Sequence, residues 1–69
     1  MNRYLVRGLI ESRSQKRLVV EANRYEIHDW GYERKLLCFY KKLEHPTSWQ
    51  TEEQVARFEG YRLDVIQFR

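Results

Sequence analysis

The sequence predicts an α+β fold, a small antiparallel sheet in the order β-β-β-α-β with one helix packed on one face. Three observations lead there. Two N-terminal stretches alternate apolar and polar residues with the period of a half-buried strand. A run of five unbroken apolar residues, Leu36 to Tyr40, lies between basic pairs, as a strand covered on both faces would. Downstream of the only proline, two Thr-x-x-Gln boxes mark a helix start.

Arg3 to Ser12 is the first expected strand, with Tyr4, Val6 and Ile10 on one parity and Arg3, Arg7 and Glu11 on the other. Gly8 falls on the apolar parity, where a glycine marks a bulge or a close backbone approach. Ser12 to Lys16 has no apolar residue and reads as a hairpin loop. From Arg17 to Trp30 the pattern slips: Leu18, Val20 and Ala22 hold the even positions, but Tyr25 and Ile27 hold the odd ones. A slip near Asn23 predicts one long bent strand or two short ones, since a change of parity moves side chains to the other face. Asp29, Trp30 and Gly31 then form a turn.

Arg34 to Leu43 is expected as the central strand, with Leu37 and Phe39 under the helix and Leu36, Cys38 and Tyr40 on the opposite face. Its competitor is a helix over Glu33 to Glu44, which would give β-β-α-α-β, because Leu36, Leu37, Tyr40 and Leu43 also fit a helical stripe and no residue there is β-branched. His45-Pro46 ends this element. Thr47-Ser48-Trp49-Gln50 and Thr51-Glu52-Glu53-Gln54 start the expected helix, Val55 and Phe58 supply its apolar side, and Gly60 stands just past its end. Tyr61 to Arg69 closes the sheet as a last strand. With 69 residues and no linker or repeat, residues 1–69 read as one domain.

A chain of this length buries only about 60% of the surface its unfolded form exposes. Ten of its residues are aromatic, so a few large rings must fill the core and some are left outside. Cys38 is alone, which excludes an internal disulfide and points to a reducing, cytoplasmic setting. No segment approaches the roughly 18 apolar residues of a membrane span, and Arg3 and Arg7 interrupt the N-terminus where a signal peptide needs an apolar core.

The chemistry-bearing residue types form no recognised pattern. His28, Asp29, Cys38 and His45 are not spaced as metal ligands, so no metal or other cofactor is expected. Cys38 with a histidine is the one thiol and base combination, but a nucleophile inside an apolar run is badly placed for solvent. No enzymatic activity is expected. What remains is binding. The surplus of large side chains favours another protein as partner, with Trp30, Tyr32, Trp49, Leu5, Arg7, Arg24 and Tyr40 as candidate contacts, because Trp, Tyr and Arg dominate interface hot spots. In such a role the chain would act as an inhibitor or regulator that occupies a partner surface, and exposed strand edges add a route to a homo-oligomer.

The alternative is single-stranded nucleic acid, held by Arg3, Arg7, Arg17, Arg24 and Arg34 on a sheet face with stacked aromatic rings. Thirteen Lys and Arg against ten Asp and Glu leave a net charge of +3, concentrated in residues 1–35, where eight basic residues face five acidic ones. Glu11, Glu21 and Glu26 fall on the same parity as the arginines, which is the composition of an ordinary solvated sheet.

Overall fold

The computed structural model describes residues 1–68 and contains five strands, β1 (Asn2–Arg13), β2 (Val19–Ala22), β3 (Arg24–Asp29), β4 (Arg34–Lys42) and β5 (Glu52–Phe68). They form one antiparallel sheet in the order β2-β1-β5-β4-β3. Among the described residues there is no helix, and so none long and apolar enough to cross a membrane. The end of the expected last strand, Arg69, lies outside the described residues.

Strand β5 sets the shape. Its N-terminal part pairs with β4 from Glu52 to Tyr61, and its C-terminal part pairs with β1 from Phe58 to Phe68. The sheet therefore folds over on itself as two layers that share β5: β2-β1 with the C-terminal half of β5, and β3-β4 with its N-terminal half. A strand that changes layer needs a corner. Here the corner is Gly60 to Arg62. A Cβ on Gly60 would fall on the Leu9 carbonyl oxygen of the neighbouring strand, so only glycine fits there. Arg62 has φ +54°, and across from it Gly8, at φ +126°, marks the point where the β1–β5 register shifts between Arg7 and Leu9. A Cβ on Gly8 would lie 2.7 Å from the Arg62 carbonyl oxygen.

The second corner is Asn23, which joins β2 at one edge of the sheet to β3 at the other. Its N–H donates to the Tyr40 carbonyl (2.8 Å), and its side-chain oxygen accepts from the Lys42 N–H (2.7 Å), so the parity slip is pinned onto β4. The slip near Asn23 and the bulge at Gly8 stand where the pattern of the sequence puts them.

Between the layers lie Tyr4, Val6, Val20, Ala22 and Leu63 on one side and Leu37, Phe39, Ala56 and Phe58 on the other. Phe39 is the centre. Its ring centroid is 5.4 Å from that of Tyr4 and 5.9 Å from those of Tyr25 and Phe58, the last nearly perpendicular at 82°. Such edge-to-face packing lets few side chains fill a small core.

The α+β expectation, with its β-β-β-α-β order, is overturned. Residues expected as a helix are the first half of β5, and the competing helix over Glu33 to Glu44 is strand β4. The boxes at Thr47 and Thr51 misled for a local reason. The Thr47 hydroxyl does accept from the N–H of Gln50 (3.0 Å) and of Trp49 (3.3 Å), as a helix cap would, but the Thr47 N–H donates to the Gln50 carbonyl (2.9 Å) and closes a turn instead. A threonine offers the same bonds to either structure. Beyond it, Val55 and Phe58 suggest helical spacing, yet Ala56, Phe58 and Gly60 are buried at alternate positions, the period of a strand. An isolated helix of nine or so residues is marginal in water, whereas this segment gains a ladder with β4 from Glu52 onward and a second, with β1, from Phe58. Leu37 and Phe39 are fully buried as expected, but under the opposite layer of the sheet rather than under a helix.

Two substitutions test this packing. Phe39→Ala is expected to cost about 3–5 kcal/mol, the usual penalty for truncating a buried ring, and to lower the urea midpoint accordingly. Gly60→Ala removes no apolar contact, so a comparable loss of midpoint would come from the backbone approach at the corner. A Gly60→Ala protein as stable as the parent would refute the corner as described.

Candidate protein-binding face

Alternation along β1 puts Tyr4 and Val6 inside and Arg3, Leu5 and Arg7 outside. The register then decides what stands beside them. Leu5 lies between Val19 of β2 and Ile66 of β5, giving one apolar row across three strands. Arg3 lies between Glu21 and Phe68 in the next row, and Arg7 faces Asp64 in the row on the other side. Val19, Ile66 and Phe68 keep 37%, 37% and 43% of their surface exposed. Among the described residues no element covers this face, because the layer is packed on its inner side only.

The surrounding charges are paired. Arg7 Nη2 donates to Asp64 Oδ2 at 2.7 Å, and that bond, with the Val65 N–H, holds the Asp64 carboxyl below its ordinary range. Arg3 approaches Glu21 at 3.9 Å and its guanidinium lies 6.0 Å from the Phe68 ring centre. An open cleft of about 600 Å³ borders the row on the β2 side, lined by Arg3, Arg17, Leu18, Val19 and Glu21. An apolar centre with a rim of neutralised charge is the arrangement of a protein interface.

The structure brings together only part of the predicted contact set. Leu5 and Arg7 belong to this face, as do Arg3 and Arg17 of the nucleic-acid set. Trp30 and Tyr32 lie at the turn between β3 and β4, where Tyr32 and Glu33 both have positive φ and Tyr32 is 98% exposed. Trp49 stands alone on the loop between β4 and β5, 95% exposed. Ile66 and Phe68 were not among the candidates. Their shared parity, opposite to Leu63 and Val65, carried the signal, but only the register shows that they adjoin Leu5.

Arg24 and Tyr40 sit on the outer face of the other layer and serve each other. The Arg24 guanidinium lies 4.3 Å from the Tyr40 ring centre, donates to both Glu52 oxygens (2.7 and 2.8 Å) and reaches Glu26 at 2.7 Å. Those bonds pull the Glu52 and Glu26 carboxyls below their ordinary range and hold Arg24 firmly protonated. Cys38 is buried on this same face, with Glu26 and Arg57 as its cross-strand neighbours. The Arg34 guanidinium lies 5.6 Å from the Trp30 ring centre, and its Nε is buried without a hydrogen-bond partner. Among the described residues no three His, Cys, Asp or Glu side chains gather as a metal site.

Comparison of the chain with protein-family models, with curated proteins and with solved structures finds no match.

The depressed carboxyls fix the sign of the pH dependence. A group whose folded pKa is lowered contributes stability that is present above its unfolded value and is lost as pH falls through the folded one. Glu26, Glu52 and Asp64 are all of this kind. Thermal stability is therefore expected to hold from neutral pH down to about pH 4.5 and to fall below it. Arg24→Gln should flatten that fall, as followed by circular dichroism melts across the acid range; an unchanged slope would remove Arg24 as its cause.

Proposed function

We propose that the chain is a small non-enzymatic binding module that acts on another protein by occupying its surface, as an inhibitor or regulator does. The observation that carries this reading is the partly exposed row of Val19 and Ile66 flanking a half-buried Leu5, extended by Phe68, across three paired strands. Apolar side chains fixed in register on a sheet are rigid before binding, so little entropy is lost when a partner covers them. The paired charges around the row favour register and exclude water more than they add attraction. Cys38 is free and buried, and a reducing, cytoplasmic setting accords with it.

Single-stranded nucleic acid draws less support. Arg3, Arg7 and Arg24 each have an acidic partner within 4 Å, and a guanidinium already neutralised releases fewer counterions from a phosphate backbone. Arg34 is folded against Trp30, which leaves Arg17, in the cleft beside Arg3 and Val19, as the remaining arginine of that set.

The test is affinity capture from a nuclease-treated lysate with three variants in parallel. Leu5→Asp and Ile66→Asp are expected to lose the captured protein by more than tenfold while keeping the parent's circular dichroism, and Trp49→Ala is expected to retain it. If Trp49→Ala releases the partner and Leu5→Asp does not, the loop and not this face is the site. Retention on single-stranded DNA or RNA that falls steeply with added salt would favour the nucleic-acid reading instead.

A further inference from the structure

Strand β3 is the most exposed element of the fold: none of its six residues is buried, and it stands at the end of the sheet order with β4 on one side only. The direction of its unused backbone groups follows from the hairpin. The Trp30 N–H donates to the Arg34 carbonyl, and the β3–β4 register places Arg24, Glu26 and His28 at the same phase as Trp30. In an antiparallel ladder, inward- and outward-facing residues alternate. Tyr25, Ile27 and Asp29 therefore turn their N–H and C=O groups to the open edge. Edge strands in stable monomers are usually short or carry lysine, proline or a bulge along the open side. The other edge, β2, is protected by its length of four residues. Strand β3 carries no lysine, proline or bulge between Tyr25 and Trp30, and its charged Glu26 is already paired with Arg24 of the same strand.

We propose that the β3 edge pairs with β3 of a second copy, antiparallel about Ile27, to form a two-fold dimer with a sheet continuous across the interface. This gives an address to the self-association included in the reading above, and it uses a different surface from the Leu5 row. The residues choose the register. With Ile27 opposite Ile27, the outward groups of Tyr25 meet those of Asp29 of the second copy, Glu26 faces His28 and Arg24 faces Trp30. Three paired positions at two bonds each give about six new hydrogen bonds. Ile27 and Tyr25, each 40% exposed at the rim of the core, are the side chains that the second copy covers.

Neighbouring registers are worse on charge and length. A shift of two residues one way sets Glu26 against Glu26 and Arg24 against His28. The same shift the other way sets His28 against His28 and loses a paired position. A shift of one residue puts the outward groups of one copy against groups already bonded to β4. Glu26 is prepared for the favoured register: one oxygen holds Arg24 at 2.7 Å, and the other lies 3.4 Å from His28 of its own strand, so a second imidazole adds to a site that already accepts one.

The experiment is sedimentation equilibrium of the full chain from micromolar to millimolar concentration, on the parent and three variants checked for folding by circular dichroism. The parent is expected to show a reversible monomer–dimer equilibrium; a monomer throughout overturns the proposal. Glu26→Lys should weaken the dimer by roughly tenfold, the ratio for loss of one carboxylate–imidazole contact per half-site, and adding His28→Glu to it should restore the parent value. A reversal that restores nothing overturns the register. Ile27→Pro removes the outward N–H and no bond to β4, so a folded Ile27→Pro protein should be monomeric; a dimer that survives it overturns the edge as the interface. Leu5→Asp should dimerise as the parent does, so that loss of partner capture and loss of dimer are read separately.

Discussion

The structure depends on β5 belonging to two layers at once. A strand of seventeen residues that pairs with β4 along one half and β1 along the other cannot stay straight, and the bend is permitted at the point where Gly60 admits the Leu9 carbonyl. Everything else follows from that fold-over. It brings Tyr4 and Val6 of β1 over Phe39 and Phe58, which makes a core from a chain too short for two separate layers. It also sends β2 and β3 to opposite edges although only Asn23 separates them, so the chain itself ties the two edges together.

How much of this could be read from the residues depended on whether the signal was local. The period-two pattern of β1, the slip at Asn23, the glycine bulge and the apolar β4 run are all properties of adjacent residues, and all of them stand, although β5 and not β4 takes the centre of the sheet. The helix failed because its signals were local as well: hydroxyl caps and acidic residues describe how a backbone segment satisfies its own donors, and a turn satisfies them equally. What decided for strand was pairing with residues more than forty positions away in β1 and immediate neighbours in β4, which no window along the chain contains. The same limit applies to the candidate face. Leu5 stood out because it lies on a charged parity; Ile66 and Phe68 did not, since the sequence places them merely on one side of a terminal strand.

The charge pattern separates the two outer faces. On the β3-β4 layer, Arg24 is paired with Glu26 of its own strand and with Glu52 of β5, its guanidinium lies over the Tyr40 ring, and Arg57 pairs with Glu59 along β5. Long side chains that pair in this way cover apolar surface while keeping their charged ends in water. On the β2-β1 layer the ion pairs Arg3–Glu21 and Arg7–Asp64 run along the rows beside Leu5 rather than over it. Both layers carry similar numbers of charged groups, yet only one is sealed.

That difference bears on how a domain of this size divides its apolar residues. Moving Leu5 inward is impossible without shifting β1 by one residue, which would expel Tyr4 and Val6 and empty the core around Phe39, and a like shift of β2 or β5 to bring in Val19 or Ile66 would expel Val20 or Leu63. The row is thus fixed outside by the same alternation that fixes the core inside. As cross-strand neighbours the three side chains add to the stability of the sheet, by about 0.2–1 kcal/mol for each pair. An apolar row placed across three paired strands and left partly exposed is the feature for which binding gives a physical reason.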